Sequence, residues 1–141
     1  MGVGRYGELV APASGAPRAL TVVLADDDDR FRSLVRSILE DDGFRILGEA
    51  ADAATTRELV RAHRPDVVVL DLVMRGSDGL STLRDLLEDD RRQSVVVLSS
   101  LFDPVVEQEV ISLGAWYLEK VEGIEALEHA IALAAATVRV D

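Results

Sequence analysis

Three stretches of this chain are almost wholly apolar, and each stops at a short polar side chain. Leu20 to Ala25 (LTVVLA) runs into Asp26, Asp27, Asp28 and Asp29, Val67 to Leu70 runs into Asp71, and Ser94 to Leu98 (SVVVL) runs into Ser99 and Ser100. An unbroken β-branched run, unlike an alternating one, fits a strand buried on both faces by flanking helices. Parallel neighbours in such a sheet need crossover connections, so the segments between the runs must supply helices.

They do. Phe31, Leu34, Val35, Ile38 and Leu39 recur at helical spacing with Arg30, Arg32, Arg36 and Glu40 opposite, Asp28 or Asp29 is suited to cap this helix, and Gly43 closes it. Phe44 to Glu49 (FRILGE) alternates as a short strand. Asp52 to His63 predicts a helix with Ala53, Thr56, Leu59, Val60 and His63 on one side, stopped by Pro65. After the Asp71 strand, a loop from Met74 to Gly79 supplies Asp78 as cap for a helix through Leu80, Leu83, Leu86 and Leu87, which dissolves into Glu88 to Arg92. Asp103 and Pro104 open a fourth helix with Val106, Val110 and Leu113, ended by Gly114. Ala115 to Glu119 is a less regular strand ending in Lys120, and Glu122 to Val138 forms a last helix. Five strands alternating with five helices give one α/β domain from about Ala19 to Asp141, with a parallel sheet covered on both faces. Residues 1–18 hold four of the ten glycines and two of the four prolines and read as a flexible tail.

In an open parallel sheet, ligands bind beyond the carboxyl ends of the strands. The acids after the first and third strands therefore converge on one edge. Two carboxylates about 4 Å apart repel by roughly 4 kcal/mol at an effective dielectric near 20, so such a pair is expected to recruit a cation. A ligand set of oxygens alone selects a hard divalent ion, Mg²⁺ before zinc or copper. Asp28 and Asp29 fit better as favourable charge at a helix N-terminus than as further ligands. His63 and His129 have no ligand partner at useful spacing and read as helix-surface residues.

The 141-residue chain carries 15 Lys and Arg against 26 Asp and Glu, a net charge of −11 that argues against clamping a nucleic-acid backbone. It has no cysteine, which excludes disulfides and thiolate metal sites, and no apolar run long enough to span a membrane, so the expected setting is the cytoplasm.

Together, Leu24 to Asp27 (LADD), Arg64 to Met74 (RPDVVVLDLVM) with Asp78 and Gly79, Val96 to Ser100 (VVLSS), Gly114 and Ala115, and Tyr117 to Lys120 (YLEK) resemble the response-regulator receiver domains of two-component signalling. The resemblance implies a flavodoxin-like (βα)5 fold with strand order 2-1-3-4-5. It makes Asp71 the phosphoacceptor for a sensor histidine kinase. Asp27, Asp71 and the backbone carbonyl of Val73 would hold Mg²⁺, with Asp26 acting through a coordinated water. Lys120 would pair with the phosphoryl group, and Ser99 and Tyr117 would form the switch that alters a docking or homodimer surface on the last helices. Such a module is not an enzyme beyond catalysing its own phosphorylation and dephosphorylation. The opening motifs and Glu49 to Asp52 (EAAD) are most similar to receivers that precede a helix-turn-helix output domain, which implies transcription regulation through a partner rather than DNA contact by this chain.

The chain departs from the family's usual pattern in three places. Arg75 and Val121 stand where proline is usual, and one residue instead of two separates Ala115 from Tyr117. A one-residue change reverses the faces of strand side chains, so the directions of Tyr117 and Lys120 become the deciding observation. Trp116 fits either the core or a partner anchor. Two other readings compete. One is a degenerate receiver that binds partners without phosphate. The other is a phosphohydrolase with Asp26 as nucleophile in an Asp26-x-Asp28 arrangement, for which the chain is short.

Overall fold

The computed structural model describes residues 18–137; the expected tail at residues 1–18, apart from Arg18, and the end of the last helix at Val138 lie outside them. The main sheet contains β1 (Thr21–Ala25), β2 (Arg45–Ala50), β3 (Val67–Asp71), β6 (Ser94–Ser99) and β7 (Trp116–Glu119). Its order is β2-β1-β3-β6-β7 and every pairing is parallel, which is 2-1-3-4-5 when these five strands alone are counted. The helices are α1 (Asp29–Asp41), α2 (Ala53–His63), α3 (Gly79–Asp89), α4 (Pro104–Ser112) and α5 (Ile124–Ala136).

Alternate residues of each strand enter two separate cores. Val22, Leu24, Val67, Val69, Val96 and Leu98 pack with Val35 and Leu39 of α1 and Leu127 and Ile131 of α5. Val23, Val68, Leu70, Val95 and Val97 pack with Val60 of α2, Leu83 and Leu86 of α3, and Val110 of α4. All five residues of β3 are buried, which is why that run shows no polar alternation. Truncating a buried leucine such as Leu39 costs about 2–5 kcal/mol in cores of this kind.

Helix starts follow the caps. Asp28, Asp52, Asp78 and Asp103 each accept backbone N–H groups from the first turns of α1, α2, α3 and α4. At the amino edge of the sheet Asp66 accepts from the Thr21 N–H at 2.8 Å and from the Arg18 guanidinium at 2.9 Å, so Arg18 belongs to the folded unit and not to a tail.

Three features differ from expectation. Leu34 is exposed while Arg32 is largely covered, because the long guanidinium folds back under α1. His63, at the end of the expected stripe of α2, is exposed, as its reading as a helix-surface residue has it. In β2, Val22 pairs with Ile46 and Val23 with Gly48, so Leu47 is an extra residue that interrupts the alternation. The last helix does not begin at Glu122: Lys120–Glu122 form a 3-10 turn, Gly123 takes φ +96°, and α5 starts at Ile124. The loop after β3 also contains an antiparallel ribbon of β4 (Val73–Met74) and β5 (Ser77–Asp78), joined by Arg75 and by Gly76 at φ +71°.

Candidate phosphoacceptor and metal site

Asp71 is the last residue of β3, and Asp26 and Asp27 follow β1, its neighbour; Ala25 pairs with Leu70, so the two strands stop level with each other. One oxygen from each of Asp26, Asp27 and Asp71 lies within 4.8 Å of the others. Lys120, just past β7, reaches across the end of β6. Its Nζ stands 2.8 Å from Asp26 Oδ2, 3.2 Å from Asp71 Oδ2 and 4.4 Å from the centre of the Phe31 ring.

Burial sets the electrostatics. Asp26 is 5% exposed and Asp71 3%. Burial pushes the Asp71 carboxyl up and the neighbouring Asp26 charge adds to this, while the Val73 N–H and Lys120 pull it down; the balance leaves it at about 6. Burial alone would lower Lys120, but Asp26 and Asp71 outweigh it and raise the amine above its ordinary value. The ammonium is thus a fixed charge that partly neutralises two acids.

It leaves one oxygen of Asp26 without a hydrogen bond, while both oxygens of Asp71 accept one. Asp26 Oδ1 accepts the Asp28 N–H at 2.9 Å, but buried Oδ2 has no hydrogen-bond partner, the Lys120 ion pair lying off the direction a hydrogen bond needs. An enclosed anionic oxygen beside two further carboxylates, with no nitrogen or sulfur ligand near, is a donor set that fits a hard divalent cation.

The ribbon after β3 is tied to the same acids. Asp71 Oδ1 accepts from the Val73 N–H at 3.1 Å and Asp27 Oδ2 from the Arg75 N–H at 2.8 Å. Gly79 donates to the Leu72 carbonyl at 3.1 Å, and a Cβ there would meet that oxygen at 2.3 Å, so only glycine permits α3 to start so close to the strand end.

Ser99 ends β6, is buried, and donates its hydroxyl to the Leu101 carbonyl rather than to Asp71. It borders a cleft of about 400 Å³ with Leu72, Val73, Leu80, Leu101 and Val106. Tyr117 packs partly buried against the core under α2, α3 and α4, with its hydroxyl enclosed and without a hydrogen bond. Trp116 and Leu118 face the other core. The short Ala115–Tyr117 spacing has therefore not turned Lys120 away from the acids: Val96 pairs with Trp116 and Ser99 with Glu119, and Lys120 follows at the carboxyl edge facing Asp26 and Asp71.

The model of the response regulator receiver domain matches residues 22–132, which contain every element of this site. The chain belongs to that family. Among relatives of this receiver, protein CcdB of Bacillus subtilis is 37% identical over 97 residues, covering 68% of this chain and 81% of the relative. The probable transcriptional regulatory protein NarL of Mycobacterium tuberculosis is 32% identical over 100 residues, 70% of this chain but 46% of the relative. The solved signal receiver domain of the putative response regulator NarL from the same species has a TM-score of 0.77 at 30% identity, covering 85% of this chain and 98% of that one. The receiver spans only part of several curated relatives, 28% of a protein-glutamate methylesterase/protein-glutamine glutaminase of Hahella chejuensis and 51% of the probable response regulator DctR of Priestia megaterium.

Of the residues expected at the receiver site, Asp26, Asp27, Asp71 and Lys120 meet directly, Val73 and Ser99 border them, and Tyr117 lies behind on β7. His63 and His129 are exposed on α2 and α5, away from the strand ends. Three neighbours were not anticipated. Phe31 lies under Lys120. Arg32 donates to the Asp26 backbone carbonyl and, at 2.8 Å, to Glu49 Oε1 at the end of β2, so it fixes the loop that carries the acids. Arg75 faces Asp27. The one available signal was Glu49, an acid at the end of a neighbouring strand with two arginines one turn apart on α1; Arg36 also reaches it, at 2.5 Å.

Proposed function

We propose that this receiver takes a phosphoryl group from a sensor histidine kinase onto Asp71 and thereby switches a docking or dimerisation surface. The observation that carries the reading is the meeting of Asp71 with Asp26, Asp27 and the Lys120 ammonium at the carboxyl edge of the sheet. Asp26, Asp27, Asp71 and the Val73 carbonyl would hold Mg²⁺. When bound, the ion neutralises charge on the equatorial phosphoryl oxygens, the main demand of such a transfer.

The chain's own residues do the rest. An Asp71 carboxylate oxygen attacks phosphorus, the bond from phosphorus to the donor imidazole nitrogen breaks, and the donor ring, protonated on its other nitrogen, takes the electron pair and leaves as neutral imidazole. Lys120, already 3.2 Å from Asp71, passes from the free carboxylate to a phosphoryl oxygen. Ser99 gives up the Leu101 carbonyl and donates to another phosphoryl oxygen, drawing the loop before α4 inward. That loop presents Leu101 and Phe102 to solvent, so its movement changes the apolar surface shown to a partner. Tyr117 follows on β7. The output is transcription regulation through a partner or a homodimer, in the cytoplasm, and the chain turns over no substrate beyond its own phosphoryl group.

Incubation with a small acyl phosphate and Mg²⁺, read by intact-protein mass, is expected to add one phosphoryl group to the wild type and none to Asp71→Asn. Equal labelling of the variant removes Asp71 from its role, and no labelling of the wild type favours a receiver that binds partners without phosphate.

A further inference from the structure

Arg75 stands where the family usually carries proline, and the structure gives this departure a physical content. The turn between β4 and β5 points the Arg75 N–H at Asp27 Oδ2, at 2.8 Å, a bond that proline cannot make. The guanidinium Nε stands 3.7 Å from the same oxygen, while the side chain is 83% exposed and so free to leave. Asp27 itself is only partly exposed, at 23% for its side chain, and it is one of the three acids of the pocket.

Arg32 is held by the Asp26 backbone carbonyl and Glu49, so two cations of different kinds face the three carboxylates themselves. Lys120 is 18% exposed and wedged between Asp26 and Asp71. Arg75 approaches the third acid from solvent. We propose that Arg75 is a resident counter-ion of Asp27 that competes with the divalent cation, so that this receiver loads Mg²⁺ less readily than one with an uncharged residue at the same turn. The inference rests on the magnesium-dependent reading above and names a control built into that site. A guanidinium beside a carboxylate lowers the negative potential a divalent ion meets, and the ion pair must be given up for the ion to enter. Because the pair is exposed, the effect is modest and sensitive to salt.

Calorimetric Mg²⁺ titrations of the unphosphorylated full chain test this without recourse to phosphorylation. Arg75→Met keeps the backbone N–H and an unbranched stem and removes the charge; it is expected to bind Mg²⁺ about two- to fivefold more tightly than the wild type at low salt, the gain shrinking at high salt. Arg75→Lys, which keeps the charge, is expected to stay near the wild type. If Met and wild type bind with equal affinity, the counter-ion role is overturned while the magnesium site stands. Tighter binding by Lys and Met alike also overturns it, by assigning the effect to shape rather than charge. If none of the three binds Mg²⁺, the magnesium-dependent reading fails and this inference with it.

Discussion

Asp71 is held both buried and close to another acid, and its ionisation should therefore cost the fold. Its carboxyl is raised from 3.8 to about 6, so between those values the folded chain keeps a proton that the unfolded chain has released. Stability from this group is full below about pH 4 and falls as the pH rises towards 6. Asp71→Asn removes the titrating charge. Without divalent ions it should stabilise the protein at neutral pH by about 1–3 kcal/mol, with no gain near pH 4. Urea unfolding of both proteins at the two pH values checks this; a gain of the same size at both would assign it to something other than the charge. At this scale, Asp26, Asp27 and Asp71 were legible because they follow apolar runs that suit buried strands, whereas Lys120, after the less regular Ala115–Glu119, needed the family resemblance. Arg32 was not legible, since periodicity assigns a residue to a helix face while a three-methylene stem lets the guanidinium reach around to the Asp26 carbonyl. Leu34 failed for the converse reason: it lies on the expected stripe, but at its edge, beyond the cover of the neighbouring helices.

The two helices α2 and α3 are joined by a cross-link of charges. Asp89, at the end of α3, takes 2.9 Å and 3.1 Å contacts from Arg57 and Arg61 of α2, and these hold its carboxyl down at about 2. A lowered carboxyl contributes stability above its ordinary pKa and loses it as the pH falls towards 2. Asp89→Asn should therefore cost at most about 1 kcal/mol at neutral pH, the difference from wild type narrowing as the solution is acidified. Thermal melts across that range test it, and a pH-independent difference would point to packing instead. The strands and the four aspartate-capped helix starts were readable because caps and uninterrupted runs are local signals. The ribbon of β4 and β5 was not, because two residues per strand carry no pattern. The start of α5 was set two residues early, at Glu122, because the backbone turn at Gly123 that separates the 3-10 turn from the helix leaves no periodic signal.

For the molecule as a whole, a net charge of −11 and a cluster of three acids at one edge make cation binding a matter of stability as well as chemistry. An ion that binds only the folded chain adds about 2.7 kcal/mol when present at a hundred times its dissociation constant. Mg²⁺ should accordingly raise the melting temperature by several degrees above a sodium control of equal ionic strength, and Asp27→Asn should abolish the difference. A rise of the same size in the variant would mean general screening of a highly charged chain. The strand order needed the family resemblance as well as the pattern, since alternating runs and helices specify a parallel sheet but not which strand lies at its centre.

Gly79 presses α3 against the Leu72 carbonyl with no room for even a methyl group, and the segment between them hangs from Asp27 and Asp71 by its own amides. The path from the carboxylates to the start of α3 is therefore short and tied at both ends. A displacement of those two side chains would pull on a segment that leads straight into the first turn of α3, which makes the start of this helix the place to look for a second response beside the loop after Ser99.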